Sequence, residues 1–597
     1  MGSVGDTKRV DSVPLLDRRI ELVDRFIDEP RPLRVAVIGG GLTGITAGIL
    51  LPAKVPGIQL TIYEKNEDFG GTWLENKYPG VRCDIPSHVY QSTFAPKTDW
   101  TDQFSYGPEI REYWQGVARQ HDVYQYAQFG KRVEAADWDD EAGVWTLTIE
   151  DVATGTRTAT VQADAVVTAV GRFNAWKLPD YPGISEFQGL LRHTSDWDPS
   201  FDPTGKRVAV IGNGASGIQV VPALQKIAVR VDHYARSRTW IATSWAGDER
   251  TPGPQPIEES TKAALGGDAA TYLRYRKELE AKYWRRFGTF LRDDESESGR
   301  RDNEALRTAF SEVMRRRIGD RKPELLADLV PDFAPNCRRL TPGPGYLEAL
   351  TADNVDYVRT PIARFTASGI ETTDGVQRDV DAVFCATGAN VDMVPAFAVR
   401  ARGQDLRTVW GADGTPGSYG FPYTYLGAAT PGFPNLFFVQ GPHAAGPSGT
   451  VPHAVETQLT YVAQVLRKIG REGIKAMMPS TRAADDFVVY ARSFFDRTVL
   501  TDNCSSWYNS GRPGSFVHGL WPGSAGHLSV VRRSPRWEDW EYDYLGGGGA
   551  DANRFAWYFG NGWTRDESNP EADLVSYLKL PGEVALKDLH EVWWDLP

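Results

Sequence analysis

The sequence is poor in the features that mark several common protein classes. It has four cysteines in 597 residues, and Cys83, Cys337, Cys385 and Cys504 show neither CxxC nor metal-ligand spacing. That scatter predicts no zinc or iron–sulfur site, no redox-active pair, no structural disulfide and a reducing compartment. No apolar run approaches the roughly 20 residues that span a bilayer. The first thirty residues alternate charges with short apolar groups, so no secretory leader is expected and the location is read as cytoplasmic. A net charge of −12 and a pI near 5.4 argue against nucleic-acid or anionic-membrane partners, though not against a local basic pocket. Solenoid repeats and extended low-complexity tracts are also absent. The length exceeds one ordinary core, so two or three domains are expected.

One long-range repeat is present. "RVAVIGGGLTGI" starts at residue 34, and "RVAVIGNGASGI" starts 173 positions later, at residue 207. Each copy is an apolar run, then G-x-G-x-x-G, then a helix-like segment. In this pattern the first glycine makes the tight turn and the second admits a pyrophosphate. The third lets the helix pack against its strand. In the first copy the glycines are Gly39, Gly41 and Gly44. Twenty residues beyond, "LTIYEK" carries Glu64, where a carboxylate accepts from ribose hydroxyls. In the second copy they are Gly212, Gly214 and Gly217. There "VRVDHYARS" brings Arg236 to the corresponding place, with Ser237 and Arg238 beside it. A guanidinium there suits a 2′-phosphate, which selects NADPH, whereas Glu64 suits FAD.

The fold class is therefore α/β, with two Rossmann-like dinucleotide-binding domains. "AVVTAVG" and "DAVFCATG" read as strands reaching glycine turns where the chain crosses between them. After "TPGPQP", charged helical patterns predict an insertion in the NADPH domain, with the basic stretches "KYWRRF" and "MRRRIGDRK" read as solvated helix surface. The expected layout is an FAD part over 1–172, a linker and NADPH part over 173–251, and the helical insertion over 252–335. NADPH and FAD parts then return over 336–385 and 386–597. "PNLFFVQGP" is read as a final buried strand and the aromatic tail beyond residue 530 as an extension over the core.

Two further stretches choose among the chemistries this fold hosts. Phe187, Gly189, His193, Trp197 and Asp198 complete F-x-G-x-x-x-H-x-x-x-W-(P/D). Gly70, Gly71, Trp73, Tyr78, Pro79, Gly80 and Asp84 complete G-G-x-W-x-x-x-x-(F/Y)-P-G-x-x-x-D. At these residues the sequence resembles type I Baeyer–Villiger monooxygenases, especially the fungal group acting on bulky polycyclic ketones. The resemblance covers roughly residues 34 to 530. It implies that NADPH reduces FAD, O2 adds at flavin C4a, and the anionic peroxide attacks a ketone through a tetrahedral (Criegee) adduct to give an ester or lactone. By family position Arg339 is the peroxide-stabilising cation, Asp84 the acid that holds it, and Arg338 a contact to the NADP phosphate. The pair is expected to be buried. Thr72, Trp73 and Tyr90 join Gly71 at the cofactor, and Trp507 faces the nicotinamide ribose. His193 is expected to be structural or gating. No metal is implied, and the oligomeric state, possibly monomeric, is left open. Flavin N- or S-monooxygenases and a non-catalytic NADP(H) sensor share the two glycine motifs and remain as alternatives.

Overall fold

The computed structural model describes residues 19–586 except 174, 242–254, 293–296, 412–415, 546–552, 581 and 585. The duplicated motif becomes a duplicated structure. The first sheet runs Leu436–Phe438, Ala165–Thr168, Leu33–Ile38, Ile58–Tyr63, Ala127–Gln128, all parallel. The second runs Val355–Val358, Arg230–Tyr234, Arg207–Ile211, Ala382–Cys385, Leu190–His193, likewise parallel. In both, the strand carrying the glycine turn is central and reads as a continuous apolar run, because helices cover both faces of a parallel sheet. The chain reverses strand order beside that strand, which is where α/β sheets bind ligands, beyond the carboxyl ends.

"AVVTAVG" forms Ala165–Thr168, "DAVFCATG" forms Ala382–Cys385 and "PNLFFVQGP" forms Leu436–Phe438. The segments after the first two strands lie side by side: Asn390 N–H donates to Ala175 C=O at 2.6 Å, and Trp176 bridges to Ala389. An antiparallel sheet built from Lys131–Asp139, Val144–Asp151 and Arg157–Ala163 packs beside the first nucleotide sheet.

Helices Glu259–Gly267, Ala269–Arg285, Glu297–Ile318 and Leu325–Leu329 separate the third and fourth strands of the second sheet in chain order. Asp268 caps Ala269–Arg285 by accepting from the Ala270 and Thr271 N–H groups. That helix buries Tyr272, Arg276, Leu279 and Tyr283, which recur at helical spacing on one face. The basic stretches are not simply solvated surface, as the sequence had suggested. Arg286 stacks over Tyr283 and Phe290, Arg317 pairs with Glu348 at 2.8 Å, and Lys322 donates to the Leu350, Ala352 and Val355 carbonyls. Long basic stems can cover apolar surface while their heads meet helix-end carbonyls, which composition does not reveal. In the tail, Trp540–Tyr544 pairs antiparallel with Ile474–Pro479, while Phe555, Phe559 and Trp563 stay exposed.

The expectation of no disulfide is wrong. Cys337 and Cys504, 167 residues apart, are bonded with Cα atoms 6.3 Å apart. Scattered spacing says nothing about which thiols tertiary folding brings together, so the argument for a reducing compartment falls with it. Cys83 and Cys385 are free and buried. Among the described residues, no helix is long and apolar enough to cross a membrane.

Candidate active site

The two glycine turns are near copies. Gly39 has φ +112° and Gly212 φ +106°, and a Cβ at either would meet the carbonyl of Ala169 or Ala386 at 2.6 or 2.5 Å. Gly44 and Gly217 pack against the carbonyls of Gly39 and Gly212, leaving no room for a side chain. The middle glycines differ. Gly41 and Gly214 cap their helices with no side-chain bond. A Cβ at Gly41 would have only Gly71 Cα within 4 Å, at 3.6 Å, and one at Gly214 would have nothing. Open space facing unspent helix N–H groups fits a pyrophosphate in both turns.

Glu64 follows the second strand of the first sheet and is buried. Its Oε2 accepts from Gly40 N–H at 2.6 Å, and Oε1 accepts from Asn66 N–H at 2.8 Å. Oε1 also accepts from Asn66 Nδ2–H at 2.7 Å, so Oε2 is the oxygen that keeps a lone pair for a ribose hydroxyl. Burial pushes its pKa up, against those two backbone bonds. In the second sheet the equivalent position is Ala235: Ala235 N–H bonds Val358 C=O just as Glu64 N–H bonds Gln128 C=O. Arg236 is the next residue and is exposed, with Arg238 exposed nearby and Ser237 partly so. No acid occupies this edge, and no carboxylate among the described residues pairs with Arg236.

The G-G-x-W stretch clasps both turns. Gly70 N–H donates to Gly40 C=O, and Gly71, at φ +50°, packs its Cα face on Gly41. Thr72–Glu75 is a short helix, and the Trp73 indole N–H reaches the Tyr90 hydroxyl at 3.4 Å. Further on, Tyr78 donates to Gln219 Oε1 at 2.9 Å, and Gly80 sits so close to Gln219 C=O that a Cβ would lie 2.7 Å from it. Gln219 belongs to the helix behind the second turn, Ala215–Gln225, so this signature joins the two nucleotide-binding units.

At the end of that stretch, Asp84 receives both prongs of Arg339: Nε to Oδ2 and Nη2 to Oδ1, each 2.6 Å. Fork-on-fork pairing fixes the guanidinium in plane as well as in position. The pair is not buried as expected: the Arg339 side chain is 38% exposed and that of Asp84 16%, so it lines an open cleft. The buried pair is its neighbour, Arg82–Asp102 at 3.0 Å with both side chains 6% exposed, which anchors the segment presenting Asp84. Burial within the fold pulls the Arg339 pKa down, but the Asp84 charge and hydrogen bonds more than reverse this, so the group stays a cation throughout the working range. Arg338 is half-buried, which pulls its pKa down, and no carboxylate among the described residues pairs with it.

Trp507 stands beside this cleft with its neighbour Tyr508, whose phenol burial pushes up, the Arg339, Arg286 and Arg172 guanidiniums only partly offsetting it. Sequence reasoning overlooked Tyr508, Gln219 and Arg172; the last follows the glycine that ends "AVVTAVG", a position that could have drawn notice.

The second fingerprint packs around an edge of the second sheet. Leu190–His193 is the edge strand of the second sheet. Phe187 covers Gly189, and Trp197 stacks on Phe384 at 4.3 Å. Asp198 accepts from the Ser200 N–H and hydroxyl, capping a turn. His193 Nε2–H donates to Gly388 C=O at 3.0 Å, and Nδ1 accepts from Ser195 N–H at 3.1 Å. Its ring stacks on Trp176 with a 4° interplanar angle. Burial lowers its pKa, so the imidazole is neutral, with both nitrogens occupied.

Residues 32–252 match the family model for flavin-binding monooxygenase-like proteins. The FAD-binding monooxygenase tazF of Aspergillus terreus is 33% identical over 92% of this chain and 95% of its own length. A Baeyer–Villiger monooxygenase of Pseudomonas aeruginosa is 31% identical over 84% and 90%. The crystal structure of cyclohexanone monooxygenase from Rhodococcus sp. Phi1, bound to NADP+, superposes with a TM-score of 0.71 at 26% identity, covering 87% of this chain and all of that one. The chain belongs to the flavin-binding monooxygenases and, among them, to the type I Baeyer–Villiger group.

Proposed function

We propose that this chain is an NADPH- and O2-dependent FAD monooxygenase that converts ketones, bulky and polycyclic ones included, to esters or lactones. The observation that carries the reading is the Arg339–Asp84 fork set in an open cleft beside two dinucleotide turns. Bound FAD supplies the redox chemistry, taking a hydride from NADPH and delivering one atom of dioxygen to the carbonyl carbon. The chain's own residues do the rest. The first turn seats the FAD pyrophosphate and Glu64 its ribose. The second turn, with Arg236, Ser237 and Arg338, seats NADPH, and Trp507 walls the nicotinamide side.

Attack on a ketone places negative charge on oxygen, and a preorganised cation lowers the barrier to that charge. Arg339 supplies it without a proton to lose, and Asp84 aims the guanidinium without acting as a base. His193 has no free nitrogen for acid–base work; it braces the chain crossing at Gly388. An NADP(H) sensor would have no use for the Arg339–Asp84 fork. The fingerprint of N- and S-monooxygenases typically lacks the Trp197–Asp198 ending, which this chain carries.

Purified protein should be yellow. With NADPH, a ketone and heavy-isotope O2, the product should be an ester or lactone carrying one labelled atom. Label entering only from water, or turnover confined to amines and sulfides, would defeat the proposal. Turnover of small linear ketones alone would defeat its bulky-substrate part.

A further inference from the structure

Arg172 has no role in the reading above, yet its guanidinium sits at the cleft. Nε donates to Gln440 C=O at 3.0 Å, Nη1 reaches Gly519 C=O at a long 3.4 Å, and Cζ lies 5.0 Å from the centre of the Trp507 ring. Nη2 is buried without a hydrogen-bond partner. No carboxylate among the described residues pairs with Arg172, and the nearby one is spoken for, since both Asp84 oxygens are bound by Arg339. Arg172, Arg286, Arg339 and Asp84 all act on the Tyr508 phenol, so Arg172 shares one neighbourhood with two other guanidiniums and that carboxylate.

Such a surplus is costly unless a ligand anion meets it. Burial pulls the Arg172 pKa down to about 10, with Tyr508 opposing and Arg339 adding to the fall, which leaves it charged at neutral pH. In the proposed function the dinucleotide anions have other holders: the two glycine turns for the pyrophosphates, Arg236 and Arg338 for the 2′-phosphate. Next to Arg172, Phe173 packs edge-on against Trp507 and is 49% exposed, an apolar surface at the mouth of the cleft.

We propose that Arg172 is a specificity-determining residue that anchors ring ketones bearing a carboxylate, the anion on the guanidinium and the ring system along Phe173. Swinging off the long Gly519 contact offers Nη1 and Nη2 together to a carboxylate in two-pronged geometry, which also gives the orphaned Nη2 a partner. The inference rests on the ketone-oxygenating reading of the same cleft.

A matched pair tests it: a 3-ketosteroid with a side-chain carboxylate, and the same steroid as its carboxamide. Dissociation constants are read from the flavin absorbance change on titrating oxidised, NADP+-loaded holoenzyme, which does not turn over; KM and kcat are measured separately. The native enzyme should bind the carboxylate about 10- to 100-fold more tightly than the carboxamide, the range of charge-assisted hydrogen bonds. Arg172→Gln should bring that ratio close to one, and Arg172→Lys should keep part of it. Native enzyme that binds neither steroid, or both equally, overturns the proposal. So does an Arg172→Gln protein that loses carboxylate, carboxamide and NADP+ alike, which would assign Arg172 to the cofactor or the fold. Tight carboxylate binding without oxygenation would support the anchor and count against the ketone-oxygenating reading, so the two failures are distinguishable.

Discussion

Replacing Arg339 with alanine should slow ketone oxygenation roughly 100- to 1000-fold, the usual result of removing a preorganised donor at an oxyanion, worth about 2.7–4 kcal/mol. The variant should still fold and bind FAD, because the first turn and Glu64 lie on a different segment and make no contact through Arg339. Hydride transfer should slow far less than oxygenation. Stopped-flow absorbance separates the steps: flavin bleaching by NADPH reports the first, while ester formed against hydrogen peroxide released reports the second. Peroxide release should rise as ester formation falls. Arg339→Lys should recover little, since an ammonium keeps the charge but not the fork that meets Asp84 at two 2.6 Å contacts. Asp84→Ala should be milder than Arg339→Ala, because it removes aim and leaves the cation. An Arg339→Ala protein that oxygenates ketone at the native rate would remove this residue from the mechanism.

The second large effect concerns cofactor choice. Arg236 is exposed at the edge where the first sheet has a buried acid and the second has Ala235. Charge-assisted bonds to a 2′-phosphate are worth about 1.5–3 kcal/mol, so Arg236→Ala should weaken NADPH roughly 10- to 100-fold. NADH, which lacks that phosphate, should change little. Competition titrations of both nucleotides against holoenzyme give the two constants. Equal losses would move the phosphate to Arg338 or Arg238.

The parts of this structure that were readable in the sequence are those set by local rules. A parallel strand buried on both faces is a continuous apolar run, and a tight turn that seats a carbonyl against it admits only glycine. Gly39 and Gly212 therefore announced both sheets. Contacts between distant segments obey no such rule. Asp84 and Arg339 are 255 residues apart, and only family resemblance paired them; even so, the resemblance misjudged their exposure. The register of the second edge was off by one, because spacing alone cannot tell Ala235 from Arg236 as the counterpart of Glu64. Arg172 was invisible for a related reason. Its significance lies in lacking a counter-charge, a property of the assembled site rather than of any stretch of chain.

The Cys337–Cys504 bond closes the chain into a covalent ring, and the ring's contents matter more than its chemistry. Within it lie Val355–Val358 and Ala382–Cys385 of the second sheet and Leu436–Phe438 of the first, so one closed loop passes through both nucleotide-binding sheets. Its clasp falls two residues before Arg339 and three before Trp507. A protease that cuts anywhere inside the ring therefore opens a loop without releasing a fragment. Such nicked protein should migrate as one species on a denaturing gel without reductant and as two with it. With both sulfurs inside the core, at 0% and 2% exposure, added thiol should not open the clasp while the fold is intact.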